Sequence, residues 1–514
     1  MQLVFRLLAL GALFAVSAAA QAEWLKATSR HFIVYSETGE AALRKQASEL
    51  EYFDAMIRRF HRVDADPDAE FNRVTVYVLP SIGAVQKLSG MKNVAGFYVP
   101  RVDGSVAFTP RQGGHEANDL TPKIVLFHEY AHHFLLGSYA SAYPAWFSEG
   151  YAEFASTMMQ RDGAFWLGAA ANHRGYGLLF DKALSIRQLF EPPARMNAAQ
   201  REAIYGRGWL LTHYLMFDPD RRGQLRQYLS LFNAGKPSLA AATEAFGDLK
   251  VLDSKLERYL GRNKLPAIKV ETSSLAQPEV AVRKLTPGES ALIAMRMEST
   301  RGVNQKTAAS LYARARAAAA PFAGDAVAQG WLAEMAFDAG QLDAAEAAAD
   351  AAISVDPTSS QALLYKARVH LSRAAEARAT DPKVWTAARS WIVKANRASP
   401  NDAAALALFY QSFLMQKAKP SKSAVAGLYR TVVLVPQDGG MRFLAARQMI
   451  LDGDAARAKL LLRPLASDPH AGADNGAARL LALLDAGHSG QGAIDALEQA
   501  AKKGAEAGAA PPAN

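Results

Sequence analysis

The chain has 514 residues, of which 50% are hydrophobic and 21% are charged, a composition typical of a globular protein large enough for two or three domains. It contains no cysteine, which excludes disulfides, a thiol nucleophile and thiolate metal ligands, so that a metal site would have to use histidine and carboxylate side chains. The net charge is +9, but Lys and Arg are distributed along the chain without an aromatic-basic stripe, so we expect a solvated surface and no nucleic-acid partner.

The first 22 residues differ from the rest of the chain. They carry an Arg near the start, an apolar run from Leu7 to Val16, and small residues ending in Ala20-Gln21-Ala22. This pattern predicts a secretory signal peptide over residues 1–22, because the apolar run is too short to span a bilayer. We therefore expect an exported protein, periplasmic or secreted, with no membrane span in its mature part.

Residues 23–265 alternate between strand and helix patterns. Two β-branched segments flank a helical pattern that runs from Glu40 to about Arg62, namely HFIVYS (31–36) and VTVYVL (74–79). This strand–helix–strand order predicts a parallel pair of strands. The segments GFYVP and SVAFTP within 96–110, joined by RVDG, predict a hairpin or a sheet edge, and after residue 120 the pattern is helical.

The segment TPKIVLFHEYAHHFLLG (121–137) predicts a helix that begins with Thr121 as N-cap and Pro122 in the first turn. It contains an HExxH motif. His128 and His132 are four residues apart, so both project from one face of the helix. This spacing allows two imidazoles to reach the same metal ion.

The other two polar residues of HEYAHH point in different directions. Glu129 is rotated by about 100° from His128 around the helix axis, which places it beside a metal, where it can take a proton from a water molecule. His133 is rotated by about 100° from His132 and about 140° from His128. We therefore expect His133 to be exposed or to contact the site only from outside the ligand set.

A second polar helix, YPAWFSEGYAEF (143–154), follows after a short connection and carries Glu149 and Glu153 four residues apart. Together with HExxH, its WFSEGYAEF sequence resembles the gluzincin metallopeptidases, in which a helix reading roughly W-x-x-E-G-x-A-[ED] follows the motif. The match covers about 35 residues and is most similar to the bacterial peptidase-MA-like proteins. The resemblance implies Zn²⁺ held by His128, His132 and Glu149, with Glu153 hydrogen-bonded to His128.

The same resemblance implies an α+β zincin-like fold for 23–265, with a mixed sheet plus active-site helices, and a mechanism. Glu129 would act as general base, and a Tyr or His on a later helix would stabilise the oxyanion. The segment REAIYGRGWLLTHYLMF offers Tyr205 and His213, of which we favour Tyr205. In this clan the peptide binds along a sheet edge, and the 96–110 hairpin is the candidate edge.

The pattern changes in the second half of the chain. Residues 266–289 are rich in Pro and Ser and predict an extended linker, and TPGE at its end predicts a helix start with Thr286 as N-cap. From 290 strands vanish and similar Ala-rich units recur at intervals of 43, 36 and 33 residues, ending at Pro357, Pro400, Pro436 and Pro469.

These intervals are close to the roughly 34 residues of a tetratricopeptide repeat, and the AGQLDAAEAAADAA unit resembles its second helix. The resemblance implies an all-α solenoid over 290–505 that binds a protein partner. A generic Ala-rich helical bundle is the alternative for this region. Residues 506–514 predict a disordered tail.

The features together predict an exported zinc-dependent peptidase that acts on a peptide or protein substrate. Two alternatives stay open. One is a catalytically silent scaffold whose repeats mediate protein interactions, and the other is a zinc amidase acting on a non-peptide link. A scaffold has no reason to keep Glu129, so the complete set of catalytic residues favours an enzyme.

Overall fold

A computed structural model of the chain describes residues 23–92, 94–113, 119–139, 141–179, 183–193, 195–468, 471–472 and 475–509. The signal peptide expected at 1–22 lies outside the described residues. The protein has a mixed α+β part followed by a helical C-terminal region. None of the described helices is long and apolar enough to cross a membrane.

The described chain forms nine strands in two sheets. They are β1 Leu25–Thr28, β2 Phe32–Ser36, β3 Val74–Leu79, β4 Phe97–Val99, β5 Val106–Pro110, β6 Met159–Arg161, β7 Ala164–Leu167, β8 Ile268–Glu271 and β9 Ala281–Lys284. Six of them make one sheet in the order β4-β5-β3-β2-β1-β9. The predicted parallel pairing of β2 with β3 is confirmed, and β4 and β5 form the predicted antiparallel hairpin at one edge.

Ten helices belong to the mixed part. They are α1 Glu40–His61, α2 Ile82–Ser89, α3 Pro122–Ser138, α4 Ala145–Ser156, α5 Gly175–Leu179, α6 Ile186–Phe190, α7 Ala198–Phe217, α8 Gln224–Asn233, α9 Ser238–Phe246 and α10 Leu249–Leu260. Helices α1 and α3 pack on one face of the large sheet, where Val34, Val76 and Ala107 meet Phe53 and Phe127 in the main core. This core fixes the position of α3, which carries HEYAHH.

Twelve helices follow in the C-terminal region. They are α11 Pro287–Arg301, α12 Gln305–Ala319, α13 Ala326–Asp338, α14 Leu342–Val355, α15 Ser360–Glu376, α16 Pro382–Ala398, α17 Ala403–Met415, α18 Lys422–Leu434, α19 Gly439–Leu451, α20 Ala455–Ala466, α21 Gly476–Asp485 and α22 Gly490–Ala509. Successive helices pack against one another along this region. Helix α22 extends into the tail expected at 506–514, because Ala and Glu favour helix until Pro511 approaches; residues 510–514 lie outside the described chain.

The second face of the large sheet carries a row of stacked aromatic rings. Tyr35, Tyr77, Phe108 and Phe97 come from four neighbouring strands, with successive ring centroids 5.2, 5.4 and 4.6 Å apart. Apolar side chains of α11, α12 and α13 cover this face, and Trp331 is among them. The first helices of the C-terminal region therefore complete the burial of the sheet.

The three-stranded sheet β6-β7-β8 corrects the expectation that the chain is helical after residue 120. Its hairpin turns at Asp162 and Gly163, which both have positive φ (52° and 73°). An Asp-Gly pair is the residue choice for a two-residue hairpin turn, so the sequence did contain this signal. The strands are short, and β6 is exposed and polar, which hides the alternation from a pattern search.

Residues 266–286 are largely extended, as expected, with one 3₁₀ helix at Thr272–Ser274, but they pair into both sheets. Strand β8 adds to β7, and β9 pairs antiparallel with β1, which was not predicted either. The predicted helix start is confirmed, because the side chain of Thr286 accepts a hydrogen bond from the Glu289 backbone N–H in a complete capping box. The expected linker is thus part of the sheet structure.

Candidate metal centre

Helices α3 and α4 bring three possible metal ligands together. Nε2 of His128 lies 3.2 Å from Nε2 of His132, and Oε2 of Glu149 lies 3.2 Å from the first nitrogen and 3.4 Å from the second. The side chains of His128, His132 and Glu149 are only 11%, 18% and 4% exposed. This group can hold a metal ion.

Each imidazole is oriented through its other ring nitrogen. Nδ1 of His128 lies 3.1 Å from Oε1 of Glu153, and Nδ1 of His132 lies 3.3 Å from Oγ of Ser148. A partner at Nδ1 fixes the ring and leaves Nε2 as the nitrogen directed at the ligand group. Glu153 therefore stands behind His128, as the resemblance implied, and Ser148 has the same position behind His132.

The site attracts positive charge. Burial acts to lower the pKa of His128, but the carboxylates of Glu149 and Glu153 outweigh it and raise this pKa to about 10. Burial acts to raise the pKa of Glu153, whereas His128, His173 and Arg174 hold it well below its usual range. Glu153 is therefore a carboxylate, and the group favours either a proton or a metal cation at its centre.

A short 3₁₀ helix, Asn172–Arg174, supplies two contacts that the sequence did not predict. Nε2 of His173 and Nη2 of Arg174 each lie 2.6 Å from the carboxylate of Glu153. Nη1 of Arg174 also donates to Oε1 of Glu202, at 2.5 Å. The spacing of these residues along the sequence does not predict their role, because only the tertiary fold brings this 3₁₀ helix beside α4.

Glu129 lies next to the ligand group without belonging to it. Its side chain is half-buried and forms no hydrogen bond or ion pair with any residue that the structure describes. Its charge acts on Tyr205: burial is the main cause that raises the pKa of this phenol, and Glu149 and Glu129 add to the effect. Glu129 thus presents a carboxyl group with no hydrogen-bond partner among the described residues next to His128.

The two candidates on α7 have different positions. The ring of Tyr205 lies 5.9 Å from the ring of His128, and the guanidinium of Arg174 lies 4.7 Å over the Tyr205 ring. His213 is buried elsewhere, with Nδ1 2.9 Å from the hydroxyl of Tyr259 and Nε2 2.9 Å from the carbonyl of Gly168. Tyr205 is therefore beside the ligand group, and His213 is not.

His133 is buried and lies outside the ligand group, which excludes the first of the two alternatives expected for it, an exposed side chain. Its Nδ1 lies 2.8 Å from the hydroxyl oxygen of Tyr98, and this hydroxyl donates its hydrogen to Oγ of Ser105. Burial lowers the pKa of His133 to about 3, so the ring is neutral. The helical angle gave its direction correctly, but β4 and the large sheet cover that side of α3 as well.

The arrangement combines a group of two imidazoles and a carboxylate with the carboxyl group of Glu129, which has no hydrogen-bond partner among the described residues, and a protonated phenol, Tyr205. Such a combination can bind a metal ion, move a proton and stabilise a developing negative charge. No protein-family model matches the chain, and no curated protein matches it either.

Proposed function

We propose that the protein is a zinc-dependent peptidase. The observation that carries this proposal is the triangle of 3.2, 3.2 and 3.4 Å between the ligand atoms of His128, His132 and Glu149. Bonds of about 2.0–2.1 Å at tetrahedral angles put neighbouring ligand atoms about 3.3–3.4 Å apart. The three side chains therefore fit three corners of a zinc tetrahedron.

The donor types also favour zinc. Two neutral imidazoles and one carboxylate are the ligand set of catalytic zinc sites that keep a fourth position for water or substrate. Magnesium and calcium prefer oxygen donors alone, and the two nitrogen donors argue against both. The absence of cysteine excludes a closed thiolate site of structural type.

Hydrolysis would then use the neighbouring residues in two proton transfers. Zinc bound by His128, His132 and Glu149 would serve as a Lewis acid that lowers the pKa of water and polarises a carbonyl. Glu129 accepts the proton of the attacking water and passes it to the leaving amine. Tyr205, protonated because of its burial, donates a hydrogen bond to the developing oxyanion. Glu153 keeps the ring of His128 in place.

A peptide substrate has a strand to bind to. Strand β4 forms one of the two edges of the six-stranded sheet and packs against α3, which carries His128 and His132. An extended peptide added to this edge would form main-chain hydrogen bonds beside the ligand group. We also propose that residues 23–265 have a zincin-like fold and that the protein is exported to the periplasm or the medium. The C-terminal region would be tetratricopeptide-like and would bind a protein partner.

The test is zinc content and peptide hydrolysis in matched variants of the full-length protein. We expect one zinc ion per chain in wild type, cleavage of a proteome-derived peptide library, and zinc without cleavage in Glu129→Gln. Loss of a residue that hydrogen-bonds to a metal ligand lowers metal affinity by up to roughly 100-fold. Because Glu149 would be a ligand itself, Glu149→Gln should lower zinc affinity by more than this.

Glu244→Gln, an exposed acid paired with Lys236, is the control and should behave as wild type. Equal cleavage in wild type and Glu129→Gln would contradict the peptidase proposal. Bound zinc with no cleavage in wild type would support the scaffold instead.

A further inference from the structure

The positive charge of the chain is concentrated in one part of the helical region. Residues 382–434, which form α16, α17 and α18, contain eight Lys and Arg residues and a single acid, Asp402. This stretch therefore carries +7 of the net +9 of the whole chain. The even distribution of Lys and Arg inferred above does not hold here.

Most of these cations have no acidic partner among the described residues. Arg430 pairs with Asp68 at 2.7 Å, and Asp402 caps α17. The remaining seven form no ion pair with any described residue: Lys383, Arg389, Lys394, Arg397, Lys417, Lys419 and Lys422. On neighbouring helices cations do pair across the array, as Arg373 does with Glu346 and Lys459 with Asp485. The positive field of α16–α18 is therefore not neutralised within the described chain.

A groove runs through this surface between α16 and α17. It has a volume of about 570 Å³, and its lining includes three cations and no carboxylate among the described residues. Its apolar part consists of Val393, which is 39% exposed, and the half-buried rings of Phe409 and Phe413.

Arg389 is held rigidly at the wall of the groove. Its guanidinium lies 3.8 Å over the Phe413 ring, and its Nε donates to Oγ of Ser412 at 2.8 Å. Its Nη1 makes no hydrogen bond to a described residue. The groove thus offers an anchored donor for a carboxylate next to an apolar surface.

We propose that the groove between α16 and α17 docks an acidic, extended peptide segment of a partner protein. Carboxylates of the peptide would pair with Lys394, Arg397 and the free donor of Arg389, and an apolar side chain would rest on Phe409 and Phe413. This inference rests on the proposed binding role of the C-terminal region and specifies the chemistry of its partner, and it is independent of the metal site.

Two other anionic partners fit the groove less well. A bilayer would require apolar side chains that project from the surface, whereas Phe409 and Phe413 are recessed. A single-stranded nucleic acid stacks its bases on exposed aromatic faces, and Arg389 already covers a face of Phe413. An acidic peptide needs neither feature.

The experiment starts from a displayed library of random 12-residue peptides selected on the full-length protein. The selected sequences are then made with a fluorescent label, and their affinity is measured by anisotropy against wild type and two double variants. Lys394→Glu/Arg397→Glu reverses charge in the groove. Lys264→Glu/Lys306→Glu makes the same change of charge at two exposed positions outside it. All four side chains are exposed, so both variants should fold, which circular dichroism checks.

We expect the selection to enrich peptides that combine Asp or Glu with an aromatic or aliphatic residue. Their affinity should fall at least tenfold in the groove variant, stay within twofold in the control variant, and weaken with added salt. Selection without acidic enrichment, or an equal loss in both variants, would overturn the proposal. So would binding of phosphatidylglycerol vesicles or single-stranded DNA with no binding of the selected peptides.

Discussion

Gly150 of α4 and Gly208 of α7 pack backbone against backbone. A Cβ on Gly150 would lie 2.2 Å from the carbonyl carbon of Gly208, and a Cβ on Gly208 would lie 2.4 Å from the carbonyl oxygen of Trp146. Neither glycine could carry a side chain without separating the two helices. Because α4 carries Glu149 and α7 carries Tyr205, this contact sets how close the carboxylate and the phenol approach each other.

Gly150→Ala should therefore destabilise the protein and disturb the site together. The methyl group would meet backbone atoms, which cannot move aside as a flexible side chain can, so we expect a loss of about 2–3 kcal/mol in the free energy of unfolding. Urea unfolding and zinc content measure the two effects. Gly83→Ala on α2 is the control, because a Cβ there meets only Oγ of Ser81 at 3.7 Å. Equal stability of the two variants would show that the α4–α7 contact can relax.

Tyr205→Phe removes one hydroxyl beside the ligand group and leaves the ring. If this hydroxyl stabilises the oxyanion, kcat should fall about 10²–10³-fold, with zinc content unchanged. Steady-state kinetics on a cleaved peptide gives kcat and KM separately. Tyr214→Phe removes a hydroxyl from the same helix, where it contacts Arg221, and should leave kcat near wild type. A higher KM with an unchanged kcat would instead assign Tyr205 to substrate binding.

Arg174 contacts both Glu153, the partner of His128, and the ring of Tyr205. We expect Arg174→Met to lower kcat by about 10–100-fold, the range for groups that orient metal ligands, because Glu153 loses its ion pair and Tyr205 loses the stacked guanidinium. Arg174→Lys should not restore activity, since one ammonium cannot bridge two carboxylates and stack on a ring. Arg187→Met, an exposed residue of α6, is the matched control. Full activity in Arg174→Lys would reduce the role of Arg174 to charge alone.

Stability should fall on acidification because two histidines outside the ligand group, the half-buried His61 and the buried His213, are neutral in the folded protein. Burial lowers the pKa of His61 to about 4 and that of His213 to about 4, against roughly 6.5 in an unfolded chain. The unfolded chain takes up these protons first. The two neutral histidines therefore make their full contribution to the free energy of unfolding above about pH 6.5. This contribution is lost as the pH falls towards 4, at up to about 1.4 kcal/mol per pH unit for each histidine.

Urea unfolding at about pH 7 and pH 5 measures this slope. In His213→Gln the free energy of unfolding should change less steeply with pH, by the equivalent of about one proton taken up on unfolding, whatever the stability at pH 7. His488→Gln, on the surface, should keep the wild-type slope. An unchanged slope in His213→Gln would mean that this histidine is already protonated in the folded protein.

The sequence was most informative where local rules are strong. Helix α3 begins where Thr121 and Pro122 predict it, since capping depends on neighbouring residues only. Strands β1 and β9 were not predicted, because each has four residues and is stabilised mainly by its partner across the sheet. His173 and Arg174 could not be predicted, because their roles arise from contacts with Glu153 that have no regular spacing along the chain.

The burial of the aromatic row under α11–α13 has a consequence for how the chain folds. Tyr35, Tyr77 and Phe108 are all present once β5 has been synthesised, yet Trp331, which helps to cover them, follows more than two hundred residues later. During synthesis the sheet therefore has one face open to solvent until α13 has emerged. We therefore expect the N-terminal part on its own to be a folding intermediate with an exposed apolar face, prone to aggregation until α11–α13 cover that face.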